Sequence, residues 1–353
     1  MGFGKNGGSR MKRKVCLLSC WNHFHAQSFV RELADLPDVE IVAVWDDEPY
    51  RGKKYAEEFG VPFEPDLEAL LARPDLDGVV IDTAPEQAAS LIIKAAQAGK
   101  HVMADQVLAM SRKEALIAKE AIEKAGIIFA LDMSLKRWPI HLAAKQVLES
   151  GRIGSVTSLR VRNAHSGALG GLGQQWPPQF RQSTYGVFAD LGAHCLYLML
   201  WLLGMPLAVT AIGTRRTETI GEDNAASIFE FENGTIAICD TSHVANNSPF
   251  SMEMYGTMGS FRANGMNGVH HKLLKQEDVT VHLFTQDQQT HPNPMSLLPP
   301  MPGEPSIHRW IKAMDGEVEP ALNGTQEGIA LAIILEGLYL SARTGTKVTF
   351  DEI

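Results

Sequence analysis

Asp190 and His194 stand four residues apart, close enough to share one face of a helix. A carboxylate that orients an imidazole, and an imidazole that moves a proton, make a common acid–base unit. The pair opens the stretch Phe188-Ala-Asp-Leu-Gly-Ala-His194, which runs on into Cys195-Leu-Tyr-Leu-Met-Leu-Trp-Leu-Leu-Gly204. Nearly everything after His194 is apolar, so the helix is buried and its ionisable first turns belong at a cleft wall. A core histidine satisfied by a helix-start aspartate is the bland alternative. His23 and His25 lie two apart in a loop with no fixed carboxylate partner, so no metal is expected on them. The cysteines (Cys16, Cys20, Cys195, Cys239) contain no Cys-x-x-Cys pair and so no zinc signature. Cys16 and Cys20 fall too far apart along one strand to bridge. Free thiols point to a reducing, cytoplasmic setting.

The elements that must position this chemistry fall into two sets. At 353 residues two domains are expected. The first, over residues 12–133, alternates buried strands (Val15–Ser19, Glu40–Val44, Gly78–Ile81, His101–Met103, Ile127–Ala130) with helices (Gln27–Leu36, Tyr50–Phe59, Glu86–Ala98, Arg112–Lys124). Continuously apolar strands separated by helices mean a parallel sheet covered on both faces, a doubly wound α/β domain. The second, over residues 134–353, opens with a linking helix, Arg137–Ser150. It then carries longer alternating strands at Ser155–Asn163, Val209–Thr214, Ala226–Glu232, Thr235–Thr241, Ser251–Tyr255 and Ser260–Arg262. These form a mostly antiparallel sheet in an α+β domain, with Glu232-Asn-Gly234 as one turn. Gly167–Ser183 and Gln286–Pro305 read as long loops, and a final helix, Gln326–Arg343, as packing back between the domains. Residues 1–11 read as a disordered leader.

A net charge of −9 excludes nucleic acid and anionic membrane as natural partners. The longest apolar run, Leu196–Val209, is too short to span a bilayer and contains Gly204 and Pro206. Lys12-Arg-Lys14 mimics a signal peptide, but the apolar part after it is too short. Myristoylation fails because Asn6 sits where Ser or Thr is needed.

A strand entering a helix is where a dinucleotide's pyrophosphate would sit, on the helix-start amides. The usual G-x-G-x-x-G is here Ser19-Cys20-Trp21-Asn22-His23-Phe24, without a glycine. Asp46, closing the second strand, stands where a ribose-binding carboxylate belongs, which would select NAD over NADP.

The order of parts resembles the glucose–fructose oxidoreductase / inositol dehydrogenase (Gfo/Idh/MocA) family over essentially the whole chain from Lys12. Val39-Glu-Ile-Val-Ala-Val-Trp-Asp46 looks like that family's second strand and its acid. Asp77-Gly-Val-Val-Ile-Asp-Thr-Ala-Pro85 looks like a strand and the cofactor loop after it, placing Thr83, Ala84 and Pro85 against cofactor. Ala98–Ala109 is similar to the segment holding the Glu-Lys-Pro motif, Asp190–His194 to D-x-G-x-H, and Ser341-Ala-Arg-Thr-Gly-Thr-Lys-Val348 to the closing signature. The resemblance implies a Rossmann domain followed by an open-faced antiparallel sheet. It also implies a nicotinamide cofactor, hydride exchange with a sugar, inositol or polyol, and a homo-oligomer built through the open sheet face. It carries His194, Asp190 and Gln106 over as the catalytic set, and Asp105 as a cofactor contact. Lys136, Arg137, His165, Trp176 and Tyr197 follow as substrate contacts. The chain departs from the family at the glycine loop, at Glu-Lys-Pro (here Asp105-Gln106-Val107) and at Tyr197, where an acid often follows the histidine. An amide cannot exchange a proton. Three functions therefore stay open: an NAD(P)-dependent sugar or polyol oxidoreductase, a lyase or isomerase on the same scaffold with cofactor structural or absent, and a sugar-binding protein.

Overall fold

A computed structural model describes residues 12–170, 177–246, 250–265, 279–285, 295–296, 300–318 and 324–353. The leader 1–11 and Trp176 lie outside the described residues, as does most of the loop expected over Gln286–Pro305. The chain divides into two compact units. The first holds Met1–Asp105, Lys119–Asp132 and Pro305–Leu322; the second holds Gln106–Ala118, Met133–Glu304 and Asn323–Ile353. A boundary at 133/134 thus differs from the structure at Met133 and at two segments, 106–118 and 305–322.

In the first unit, β1 (Arg13–Leu18), β2 (Val39–Trp45), β3 (Gly78–Ile81), β4 (His101–Asp105) and β5 (Phe129–Asp132) form a parallel sheet in the order β2-β1-β3-β4-β5. Val15 to Leu18 and Gly78 to Ile81 are buried, as apolar strands covered on both faces must be. The crossover helices are α1 (His23–Ala34), α2 (Pro49–Phe59), the short α3 (Leu67–Leu71), α4 (Pro85–Gln97) and α5 (Arg112–Ala125). Glu48 caps α2 by accepting from the Tyr50 and Arg51 amides. Gly60, at positive φ, ends it. Helix α1 starts four residues earlier than the periodicity implies. Its apolar face recurs at Ala26, Phe29 and Leu33, while the polar first turn carries no such signal.

In the second unit a tight turn, Ser134–Arg137, precedes α6 (Pro139–Glu149). The helix begins at Pro139 rather than Arg137, because proline favours the first helical position, where its missing N–H costs nothing. Strands β6 (Val156–Ala164), β7 (Ala208–Thr214), β8 (Asn224–Glu230), β9 (Ile236–Ser242), β10 (Ser251–Gly256), β11 (Gly259–Gly265), β12 (Val279–Thr285), β13 (Met295–Ser296) and β14 (Val348–Thr349) form one sheet. Its order is β13-β12-β11-β10-β6-β9-β8-β7-β14. Every neighbouring pair is antiparallel except β6 with β9. Gly234, at φ 82°, supplies the turn between β8 and β9.

The loop expected over Gly167–Ser183 contains α7 (Pro178–Gln182), followed later by α8 (Ala193–Leu203), α9 (Ser306–Met314) and α10 (Thr325–Thr344). Helix α9, unread in the sequence, belongs to the first unit. Its Trp310 packs so closely on Gly78 that a Cβ there would lie 2.9 Å from the indole. Helix α10 falls within the second unit. Buried Ser341 accepts from the Ala211 amide of β7 and donates to the Thr346 carbonyl, tying the helix end to the sheet.

Candidate active site

The Asp190 segment is not a regular helix. Phe188–Gly192 makes a π-helical turn before α8, closed by the Gly192 amide on the Val187 carbonyl at 2.8 Å. Such wide turns recur at functional sites. Glu222 braces it: its carboxylate accepts from the Phe188 amide at 2.9 Å and from the Tyr339 hydroxyl at 3.0 Å. Burial pushes the Glu222 carboxyl up, and these bonds hold it back. Gly186 is required beside it, because a Cβ there would sit 2.0 Å from the Glu222 carbonyl oxygen.

Asp190 Oδ2 lies 2.9 Å from His243 Nε2, so the carboxylate has an imidazole partner the sequence reading missed. The His243 ring stacks on His165 with centroids 5.1 Å apart, and His165 Nδ1 accepts from the Gly167 amide at 3.0 Å. Gln106 Nε2 donates to the Asp190 carbonyl at 3.4 Å, and Gln106 Oε1 is buried with no partner. An orphaned buried acceptor calls for a donor such as a hydroxyl.

His194 Nδ1 lies 2.7 Å from the Tyr197 hydroxyl, which accepts from the Leu135 amide at 3.0 Å. The Leu135 amide occupies one lone pair of the hydroxyl, and the hydroxyl fixes the His194 ring through Nδ1. Tyr197, read as a substrate contact, is fully buried and serves His194 instead. The Leu135 carbonyl accepts from His141 Nδ1 at 2.6 Å. Lys136 follows directly, and burial lowers its ammonium to about 8 against the pull of Glu327. The Arg137 carbonyl accepts from the Gly303 amide.

Burial lowers the His141 imidazole to about 4. The unfolded chain therefore binds that proton first as pH falls. Stability is full above about pH 6.5 and is lost by up to about 3 kcal/mol towards pH 4. His141→Asn, which keeps a donor for Leu135, should flatten that slope in urea unfolding across the window.

In the first unit, Ser19 is the one described non-glycine residue at positive φ, 70°, where the fingerprint's first glycine would stand. The Cys20 amide donates to Asp46 Oδ2 at 2.9 Å. The Trp21 amide donates to the Asp82 carbonyl, and the Asn22 amide to Asp82 Oδ1. Thr83 Oγ1 donates to Gln87 Oε1, and Pro85 opens α4. His23 stacks on Tyr55 and tilts against Phe24. His25 Nδ1 lies 2.7 Å from Asp105 Oδ2, which corrects the expectation that it lacks a carboxylate partner.

A dinucleotide fits the turn at Ser19 and the start of α1, whose Asn22 cap makes no side-chain bond. It does not fit Asp46 as ribose acceptor. Arg51 binds both Asp46 oxygens at 2.9 and 2.6 Å, and the Cys20 and Glu48 amides take the remaining lone pairs. The Asp46 side chain has no exposed surface. Arg51, five residues on in α2, left no trace in the motif pattern.

Residues 21–133 match the family model described as the oxidoreductase family's NAD-binding Rossmann fold, and residues 141–262 match the GFO/IDH/MocA C-terminal domain. The chain is 25% identical over 263 residues to scyllo-inositol 2-dehydrogenase (NAD(+)) of Bacillus subtilis, covering 71% of this chain and 73% of the relative. It is 26% identical over 357 residues to D-apiose dehydrogenase of Paraburkholderia graminis, covering 96% and 90%. A solved structure of levoglucosan dehydrogenase with NADH and levoglucosan shares the fold, with TM-score 0.79 at 20% identity over 96% of this chain and 100% of that one. Two matched domains in the family's order, joined to a D-x-G-x-H turn on the second, leave one conclusion: the chain belongs to the GFO/IDH/MocA family of oxidoreductases.

Proposed function

We propose that the protein exchanges hydride between a nicotinamide dinucleotide and a carbinol of a sugar, inositol or related polyol. The observation that carries this is His194, its Nδ1 held by Tyr197, in the same unit as Asp190, His243 and the orphaned carbonyl of Gln106. His194 takes the carbinol proton on oxidation and returns it on reduction, Asp190 and His243 hold the turn that aims it, and Gln106 Oε1 accepts from a neighbouring hydroxyl. The cofactor supplies only the hydride site. Its holders are the Ser19–Phe24 turn and the Thr83–Pro85 loop. The preference is for NAD: Asp46, Asp47 and Glu48 outnumber Arg51 at the end of β2, and that excess opposes a 2′-phosphate.

Lys136 is the group that replaces the missing motif lysine. An ammonium lowered to about 8 is poised to exchange protons near neutral pH. Oxidation of a polyol should rise as pH passes 8, when the neutral amine becomes available. Lys136→Met should remove that alkaline limb. The decisive assay mixes the protein with NAD or NADP and a panel of polyols and follows reduced nicotinamide. Neither binding nor turnover with any pair would sink the oxidoreductase reading in favour of a lyase or isomerase.

The second unit's open sheet face exposes Ile212 (64%), Ile228 (48%) and Ile236 (46%), an apolar stripe suited to a second copy of the chain. Its reach in solution is checked by light scattering of Ile228→Lys against the parent. No described helix is long and apolar enough to cross a membrane.

A further inference from the structure

The carboxyl ends of β1, β3 and β4 hold a cluster that proton transfer at His194 does not use. The strand order turns between β1 and β3, and open α/β sheets take ligands at such a switch point. His25 follows β1 on the first turn of α1, Asp82 follows β3, and Asp105 ends β4. One ligand atom from each lies within 4.8 Å of the other two, and His25 Nδ1 and Asp105 Oδ2 are 2.7 Å apart.

Asp82 is only 1% exposed, and its Oδ2 is buried with no hydrogen-bond partner. Its other oxygen accepts from the Asn22 amide, and Asn22 Oδ1 is buried and unpartnered as well. Burial and the charge of Asp105 both push the Asp82 carboxyl well up. Protonation as the structure stands does not resolve the site, because no acceptor lies within hydrogen-bond distance of Oδ2, and an O–H on Oδ1 would face the Asn22 N–H. A cation satisfies the buried oxygen and separates the two carboxylates at once.

We propose that His25, Asp82 and Asp105 bind a divalent cation of the zinc or manganese type. One imidazole with two carboxylates suits these ions better than magnesium, which favours oxygen alone. Three protein ligands leave a position open for water or an anionic oxygen, and the start of α1 beside it favours an anion. The pair His23/His25 carries no metal signature in sequence because both carboxylates arrive from other strands.

The test uses the full-length, tag-free protein, stripped with chelator and titrated calorimetrically with zinc chloride and with manganese chloride. One equivalent should bind and raise the melting temperature. Asp82→Asn keeps an acceptor for the Asn22 amide and should weaken binding more than about a hundredfold, since losing even an outer-shell partner costs about 10–100-fold. His25→Gln, on a half-buried side chain, should do the same without touching the core. No uptake of either metal overturns the proposal, as does equal affinity in both variants, which marks an adventitious ion only. A wild type without uptake whose Asp82→Asn form melts higher overturns it too, in favour of a protonated Asp82. Metal uptake is read without turnover, so its failure is separate from failure of the oxidoreductase assay.

Discussion

His194→Ala lowers turnover on a confirmed polyol by about 10²–10⁴-fold, the usual worth of one positioned acid–base group. The fold survives, because α8 is anchored by buried Leu196, Leu198, Met199 and Leu202 rather than by the imidazole. Asp190→Asn costs less. The imidazoles remain and the amide still offers an oxygen to His243, but the negative charge that faces His243 at 2.9 Å is lost. If His194 were only a core histidine, the pattern would reverse: a large drop in melting temperature, with activity per folded molecule unchanged. Melting curves and initial rates on both variants separate the two outcomes.

Tyr197→Phe has the second large effect. The phenol oxygen is the shared partner of the Leu135 amide and His194 Nδ1, so its loss strands two buried polar groups. That costs about 2–4 kcal/mol of stability. It also frees the His194 ring to adopt either tautomer, so turnover falls while substrate affinity changes little. A loss confined to KM, or a variant as stable as the parent, contradicts the assigned hydrogen-bond chain. Denaturant unfolding paired with steady-state kinetics provides both readouts.

Most of the parallel sheet and much of the second sheet are legible in the chain, since their cores repeat locally: apolar runs such as Gly78–Ile81 and alternation such as Asn224–Glu230 leave their mark residue by residue. Helix α9 was not legible as part of the first unit, because its Trp310 meets Gly78 from more than two hundred residues away. The same limit applies to the site. Asp190 and His194 are four apart and readable together, whereas His243 and Glu222 reach their partners only through pairing of distant strands or a helix start. The sequence by itself, through its resemblance to the family, gave the motif positions, the loss of the glycine loop and Gln106 in place of the motif lysine. Arg51 on Asp46 and Tyr197 on His194 are local contacts that helix spacing allows, whereas tertiary structure alone decided that Asp190 meets His243 and that His25 meets two carboxylates. The reason is physical: a side chain's charge state and hydrogen-bond partners depend on groups within a few ångströms in space, and strand order, not sequence distance, brings those groups together.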